Sequence, residues 1–273
     1  MNGLRVALQG IGLLGPGLPS WAAACAVLRG EAPYVPAPTA FAPPARLPPA
    51  ERRRAGPSIR LAMAVADEAV ADSGLDLRGL PTVFASSGGE GTNCHTLCET
   101  LAGPDRLLSP TRFTNSVHNA PAGYWHIAVG SQAASTSLSA YDGSFGAGLI
   151  EAALQIGTSA APVLLVACDV PYPEPLHRLR PLPDACGVAL LLAPHDAPGA
   201  LARLTIELVD AESTAAPSPC THPGLESLRR SVPAGAVLSL LEALARGVHG
   251  ERVLEYLPGL HLRVRTSPAT GAA

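Results

Sequence analysis

The apolar run at residues 162–168, from Pro162 to Cys168, restricts the fold more than any other stretch. It is too short to cross a bilayer, and it lacks the polar alternation of a strand with one wet face. A strand of this kind is buried on both sides, in the interior of a sheet that helices cover front and back. The rest of the chain supplies the layers. Strand patterns occur at residues 4–9, 82–86, 135–140, 186–192, 202–209 and 260–264. Helical patterns fall between them at 21–29, 59–73, 94–101, 146–156 and 234–246, with one more through His126. Within 59–73, Ile59, Met63, Ala66 and Val70 recur at helical spacing ahead of Gly74, a C-cap residue. Alternating strands and helices predict a layered α/β fold with a mainly parallel mixed sheet. Residues 31–57, rich in Pro, and 211–224, rich in Ser, Pro and Thr, are expected to be extended loops.

Composition removes several functions. At 273 residues and 47% hydrophobic content the chain can bury a large core. A net charge of -3, with no basic block longer than Arg52-Arg53-Arg54, argues against a nucleic-acid partner. The sequence contains no Lys, which excludes lysine Schiff-base chemistry and a Walker-type phosphate loop. Cys25, Cys94, Cys98, Cys168, Cys186 and Cys220 have no repeated spacing, the pattern of reduced thiols in a cytoplasmic protein and not of a disulfide framework. Residues 6–24 lead into Ala22-Ala23-Ala24-Cys25, superficially a lipidated leader. Gly10, Gly12, Gly15, Pro16, Gly17 and Pro19 interrupt any leader helix, however, and only Arg5 supplies positive charge, so a cytoplasmic location is expected. No other run is apolar and long enough to span a membrane.

Two short patterns invite a ligand and fail on context. Gly10, Gly12 and Gly15 match GxGxxG, but the second strand of a dinucleotide site falls in residues 31–49, whose prolines bar a central strand. A structural strand, turn and helix is expected instead. Cys94-His95-Thr96-Leu97-Cys98 holds metal-capable groups without a second pair at finger spacing, so buried helix thiols are expected, with no metal and no cofactor.

Chemistry concentrates at residues 135–148. This stretch reads as a strand, a sharp turn of small residues and a helix, the geometry that presents a nucleophile at a helix N-terminus. The turn carries Asp142, a good N-cap residue, and next to it Ser144 in Gly143-Ser144-Phe145-Gly146. Ser144, or a cysteine, gives one alternative, a self-sufficient acyl hydrolase or acyltransferase, although the Gly-x-Ser-x-Gly spacing of a hydrolase elbow is not met. His118 and His126 precede the strand and are expected to be structural.

The order of these motifs resembles the β-ketoacyl synthases of the thiolase fold. The resemblance runs over residues 3–209, through Gly10-Ile11-Gly12, the helix before Gly74, the strand into Gly88-Gly89, Ser109-Pro110, Asn119-Ala120-Pro121-Ala122-Gly123, the strand–turn–helix, and the Arg180-Pro181 return strand. It implies acyl transfer to a cysteine thiolate, stabilised by the helix N-terminus and a nearby His, followed by decarboxylative condensation. With Glu151-Ala152 kept in register, that cysteine position falls on Asp142. An acylated carboxylate would be a labile mixed anhydride, poorly suited to hold a growing chain. No His-Gly-Thr or Gly-His-Thr segment follows residue 192, where the family carries its decarboxylating histidines.

A member without these groups resembles a chain length factor, and a short one those of aryl polyene and xanthomonadin-like polyketide systems. What the resemblance implies is a non-catalytic subunit that heterodimerises with an active β-ketoacyl synthase and shapes its acyl tunnel, the complex binding acyl carrier protein. It further implies a partner interface at Ala134, Ser135, Thr136, Ser137, Leu138, Ser139 and Ala140, and tunnel-lining positions at Phe113, Val117, His118, Tyr141 and Phe145. Residues 1–209 then form the ketoacyl-synthase-like N-terminal region of a fold whose C-terminal half is truncated. Residues 210–266 complete the same domain with a helix and a strand, and 267–273 form a frayed tail.

Overall fold

In the computed structural model, residues 3–269 are described. The first part of the chain forms β1 (Leu4–Leu14), α1 (Trp21–Arg29), α2 (Pro49–Arg54), α3 (Pro57–Val70), β2 (Thr82–Ala85), α4 (Gly91–Ala102), α5 (Pro110–Thr114) and α6 (Ala120–Val129). After these come β3 (Ser135–Leu138), α7 (Ser144–Ser159), β4 (Val163–Asp169), α8 (Leu176–Leu179) and β5 (Cys186–Pro194). The last part holds β6 (Ala202–Asp210), α9 (Pro223–Ser231), α10 (Leu238–Ala245), β7 (Gly250–Leu257) and β8 (Leu260–Ser267).

All strands join one 8-stranded sheet in the order β3-β2-β4-β5-β1-β6-β8-β7. As the run at 162–168 required, β4 is buried along its whole length, between β2 and β5. Strand direction departs from expectation. Only β2–β3 and β2–β4 pair in parallel, and every other neighbouring pair is antiparallel, so the sheet is mostly antiparallel and not mainly parallel. The connections are the reason. Between β4 and β5 stands only the single turn of α8, too short for a crossover, and β7 and β8 meet through Pro258-Gly259 as a hairpin. Yet β1 to β4 all point the same way, because β5 lies antiparallel to both β4 and β1.

A second departure explains the glycine motif. Gly10 and Gly12 do not form a loop; they continue β1 past an irregularity between Leu8 and Gly10. A Cβ on Gly10 would collide with the carbonyl oxygen of Ala69, and one on Gly12 with that of Val65. Both carbonyls belong to α3, so the two glycines allow helix backbone to rest directly on strand backbone. Glu68 secures the same junction: its carboxylate accepts from Leu13 N at 2.9 Å and from Ala22 N, in the first turn of α1, at 3.3 Å. α1 starts at Ser20, whose Oγ accepts from Ala23 N at 3.1 Å, and stops at the left-handed Gly30.

Two apolar layers result. On one face α3 and α6 bury Ile59, Met63 and Trp125 against Leu164 and Leu191. On the other, Leu149 and Ile156 of α7 pack with Leu28 of α1, Leu240 of α10 and the strands. Toward its far end the sheet curls around α7, bringing Tyr256 and Leu262 against Gly146. The sequence patterns missed α2, α5, α8, α9 and β7, and the helix expected at 234–246 is broken into a 3-10 turn, Pro233–Val237, followed by α10. Of the tail expected from 267 on, Ser267 ends β8 and residues 270–273 lie outside the described residues. Gly12→Ala is expected to lower the unfolding free energy by about 1–3 kcal/mol through overpacking against α3. Chemical denaturation reads this, and a wild-type midpoint would contradict the close approach.

Candidate functional site

The parallel strands β2, β3 and β4 end on one side of the sheet, where a short 3-10 turn, Tyr141–Gly143, joins β3 to α7. Backbone strain sits at Tyr141, which holds a φ of 52° with a bulky side chain. Ser144 stabilises the turn. Its Oγ donates to Tyr141 O at 2.7 Å and accepts from Ala140 N at 3.0 Å, and the residue is only 2% exposed. A hydroxyl buried and committed in this way is a turn brace, not an available nucleophile.

Asp142 does not cap α7. The N-cap is Gly143, without a side-chain cap bond, and Asp142 turns outward to meet Arg180 Nη2 at 2.6 Å. Arg180 comes from the connection between β4 and β5. Its guanidinium lies 3.6 Å over the ring centre of Tyr141, while its side chain is largely buried. Burial is the largest single influence and opposes that charge, but the hydrogen bond and charge of Asp142, with hydrogen bonds to Tyr172 and Tyr141, together outweigh it and hold the guanidinium more firmly protonated than usual. Asp142 and Tyr141 border a cleft of ≈ 510 Å³ that also takes in Arg229, Arg230 and Tyr256.

Asp169 is the last residue of β4 and 3% exposed. One of its oxygens accepts from Ser87 N at 2.7 Å and the other from Ala234 N at 2.8 Å. It thereby joins the loop after β2 to the start of the 3-10 turn ahead of α10. Burial raises its pKa above the ordinary carboxylate range against the pull of those donors. Ser139 adds a third tie by donating to Ser87 O at 3.2 Å. Sequence reasoning gave neither Arg180 nor Asp169 a role at the site; Arg180 meets Asp142, and Asp169 meets Ser87 and Ala234, only in the folded chain.

The expected interface residues lie at a sheet edge. Ser135 to Leu138 form β3, with Ala134 before it and Ser139 and Ala140 after it. One side of β3 pairs with β2, and the other, beside α6, borders a cleft of ≈ 590 Å³ lined by His118, His126, Ser135 and Ser137. His126 Nε2 is 3.3 Å from Thr82 Oγ1, which donates to Ser135 Oγ at 2.8 Å, so this histidine is built into the structure. Phe113, Val117, His118 and Tyr141 are exposed, whereas Phe145 is buried in the core against the α7 layer. The α4 thiols also differ from expectation: Cys94 and Cys98 are exposed, and Leu97 is the residue that α4 buries. Among the described residues no cluster of three or more metal-capable side chains exists.

A strand, a strained turn and a helix, placed beside an open edge of a layered sheet, form a thiolase-like arrangement. Residues 26–232 match the family described as β-ketoacyl synthase, N-terminal domain, and the chain belongs to that family. It is similar in fold to the ketosynthase (ApeO) in complex with its chain length factor (ApeC) from Xenorhabdus doucetiae, with a TM-score of 0.72 at 22% identity over 96% of this chain and 99% of that one. The ishigamide ketosynthase/chain length factor gives 0.74 at 15% identity over 97% and 99%. AntDE:AntF, a type II polyketide synthase acyl-carrier protein in complex with its ketosynthase bound to the hexaketide, gives 0.74 at 14% identity over 98% and 100%. No curated protein matches the chain.

Asp169→Asn is expected to cost about 1–3 kcal/mol, because an amide offers one acceptor where two backbone N–H groups need one each. A raised folded pKa makes the folded chain the better proton binder, so wild-type stability should fall as pH rises through that value and Asn should remove this contribution. Thermal melts of both proteins across pH test both effects; coincident curves would contradict them.

Proposed function

We propose that this protein is a non-catalytic, chain-length-factor-type subunit that pairs with an active β-ketoacyl synthase and shapes its acyl tunnel in type II polyketide synthesis. The observation that carries this is the turn itself. On the family resemblance the nucleophile position falls on Asp142, which is bound to Arg180 at 2.6 Å, while Ser144 is enclosed. A carboxylate held by a guanidinium is a poor nucleophile, and its acyl product would hydrolyse. The similar solved structures, described as ketosynthases with chain length factors or carrier protein, support the reading over nearly the whole chain.

The open edge of β3 supports pairing through residues 134–140. Phe113 is 64% and Val117 53% exposed, so both are available to a partner's tunnel. Tyr141, under the Arg180 guanidinium, closes this subunit's own turn, and Phe145 fills the space beneath it from within the core. The reading further assigns the protein to the cytoplasm, to aryl polyene-type products and to a complex that binds acyl carrier protein. Among the described residues no helix is long and apolar enough to cross a membrane.

Co-expression with a ketosynthase encoded beside this chain is expected to give a one-to-one complex by native mass, active with Asp142→Ala to within a few-fold of wild type. Turnover of acyl thioesters by this chain alone, lost in Ser144→Ala, would favour the hydrolase alternative. In the complex, Val117→Trp is expected to shorten the product, and an unchanged product length would remove Val117 from the tunnel wall.

A further inference from the structure

Cys94 and Cys98 sit one helical turn apart on α4, and both are free and exposed. The remaining thiols differ. Cys168, Cys186 and Cys220 are buried, and burial pushes Cys186 and Cys220 up to about 12 and Cys168 higher still. α4 therefore carries a dithiol that nothing in the proposed function uses.

The spacing selects a ligand. Side chains four apart on a helix face have Cβ atoms about 5–6 Å apart. Two metal–thiolate bonds of about 2.3 Å placed end to end span about 4.6 Å, a distance both sulfurs reach by rotation about Cα–Cβ. A four-coordinate cation needs two further ligands, and among the described residues no third metal-capable side chain converges with the pair. His95, between the cysteines in sequence, is engaged with Glu99 at 3.2 Å. Soft thiolates with only two ligands favour a monovalent d10 cation.

We propose that Cys94 and Cys98 form a two-coordinate site for monovalent copper on the outer face of α4. Binding forms two S–Cu bonds, releases the two thiol protons to solvent and changes no oxidation state.

Anaerobic titration of the full chain with Cu(I), against bicinchoninate as chromogenic competitor, tests it. Wild type is expected to withdraw one equivalent of copper. Cys94→Ser and Cys98→Ser should each weaken binding at least 100-fold, while Cys25→Ser should leave it unchanged. Both positions are exposed, and circular dichroism of each variant confirms that it folds. Retention of copper by the two α4 variants, or surrender of all copper to bicinchoninate by wild type, would overturn the assignment.

Discussion

The structure depends on the contact between β1 and α3. Backbone meets backbone there because Gly10 and Gly12 present no side chains to the Ala69 and Val65 carbonyls. This draws α3 onto the middle of the sheet, with β5 on one side of β1 and β6 on the other. Glu68, on the same helix, then accepts from β1 and from the first turn of α1, so one helix sets the position of two neighbouring elements. Larger side chains of β1, among them Val6, Leu8 and Leu13, face the α7 layer instead. The strand thus presents glycines to α3 where larger side chains face α7.

The two sheet edges are treated differently. At β7 the outer edge is closed by the 211–222 segment: Ser218 N donates to Val253 O at 2.8 Å, and Ser218 Oγ accepts from Val253 N at 3.0 Å. At β3 a cleft lies in the corresponding place. Unpaired strand edges invite pairing, and folds that do not use them cover them. The covered β7 and uncovered β3 give the sheet one direction in which to extend, and it is the side that carries Asp142.

Local signals carried most of the elements. The apolar run at 162–168 gave a wholly buried β4, and helical spacing gave α3 to within a few residues, although the helix is capped at Ala71 and not at Gly74. Strand direction was not legible, since alternation of strands and helices does not say whether a connection crosses over; that depended on how little helix separates β4 from β5. The glycine pattern was seen but assigned to a turn, because close helix approach and tight turning ask for the same residue. The α4 thiols were placed inside on the burial habit of cysteine, yet α4 buries Leu97 and turns the thiols outward. At the site, Asp142 was legible as the acidic residue of the turn. Its partner Arg180 was not, as a pairing across 38 positions leaves no trace in local pattern.

That pairing sets what the Asp142 carboxylate does. A carboxylate at the start of a helix has two electrostatic partners available, the free N–H groups of the first turn and any nearby cation. Here the cation holds it: Asp142 points away from α7 toward Arg180, and Ser144 braces the turn from inside. Arg180 also stacks on Tyr141, whose strained backbone would otherwise be free to relax. The turn is thus held by Arg180 from outside and by Ser144 from within. The same turn fixes the end of β3, which lies at the edge of the sheet with β2 as its one strand neighbour, so whatever holds the turn also holds that edge.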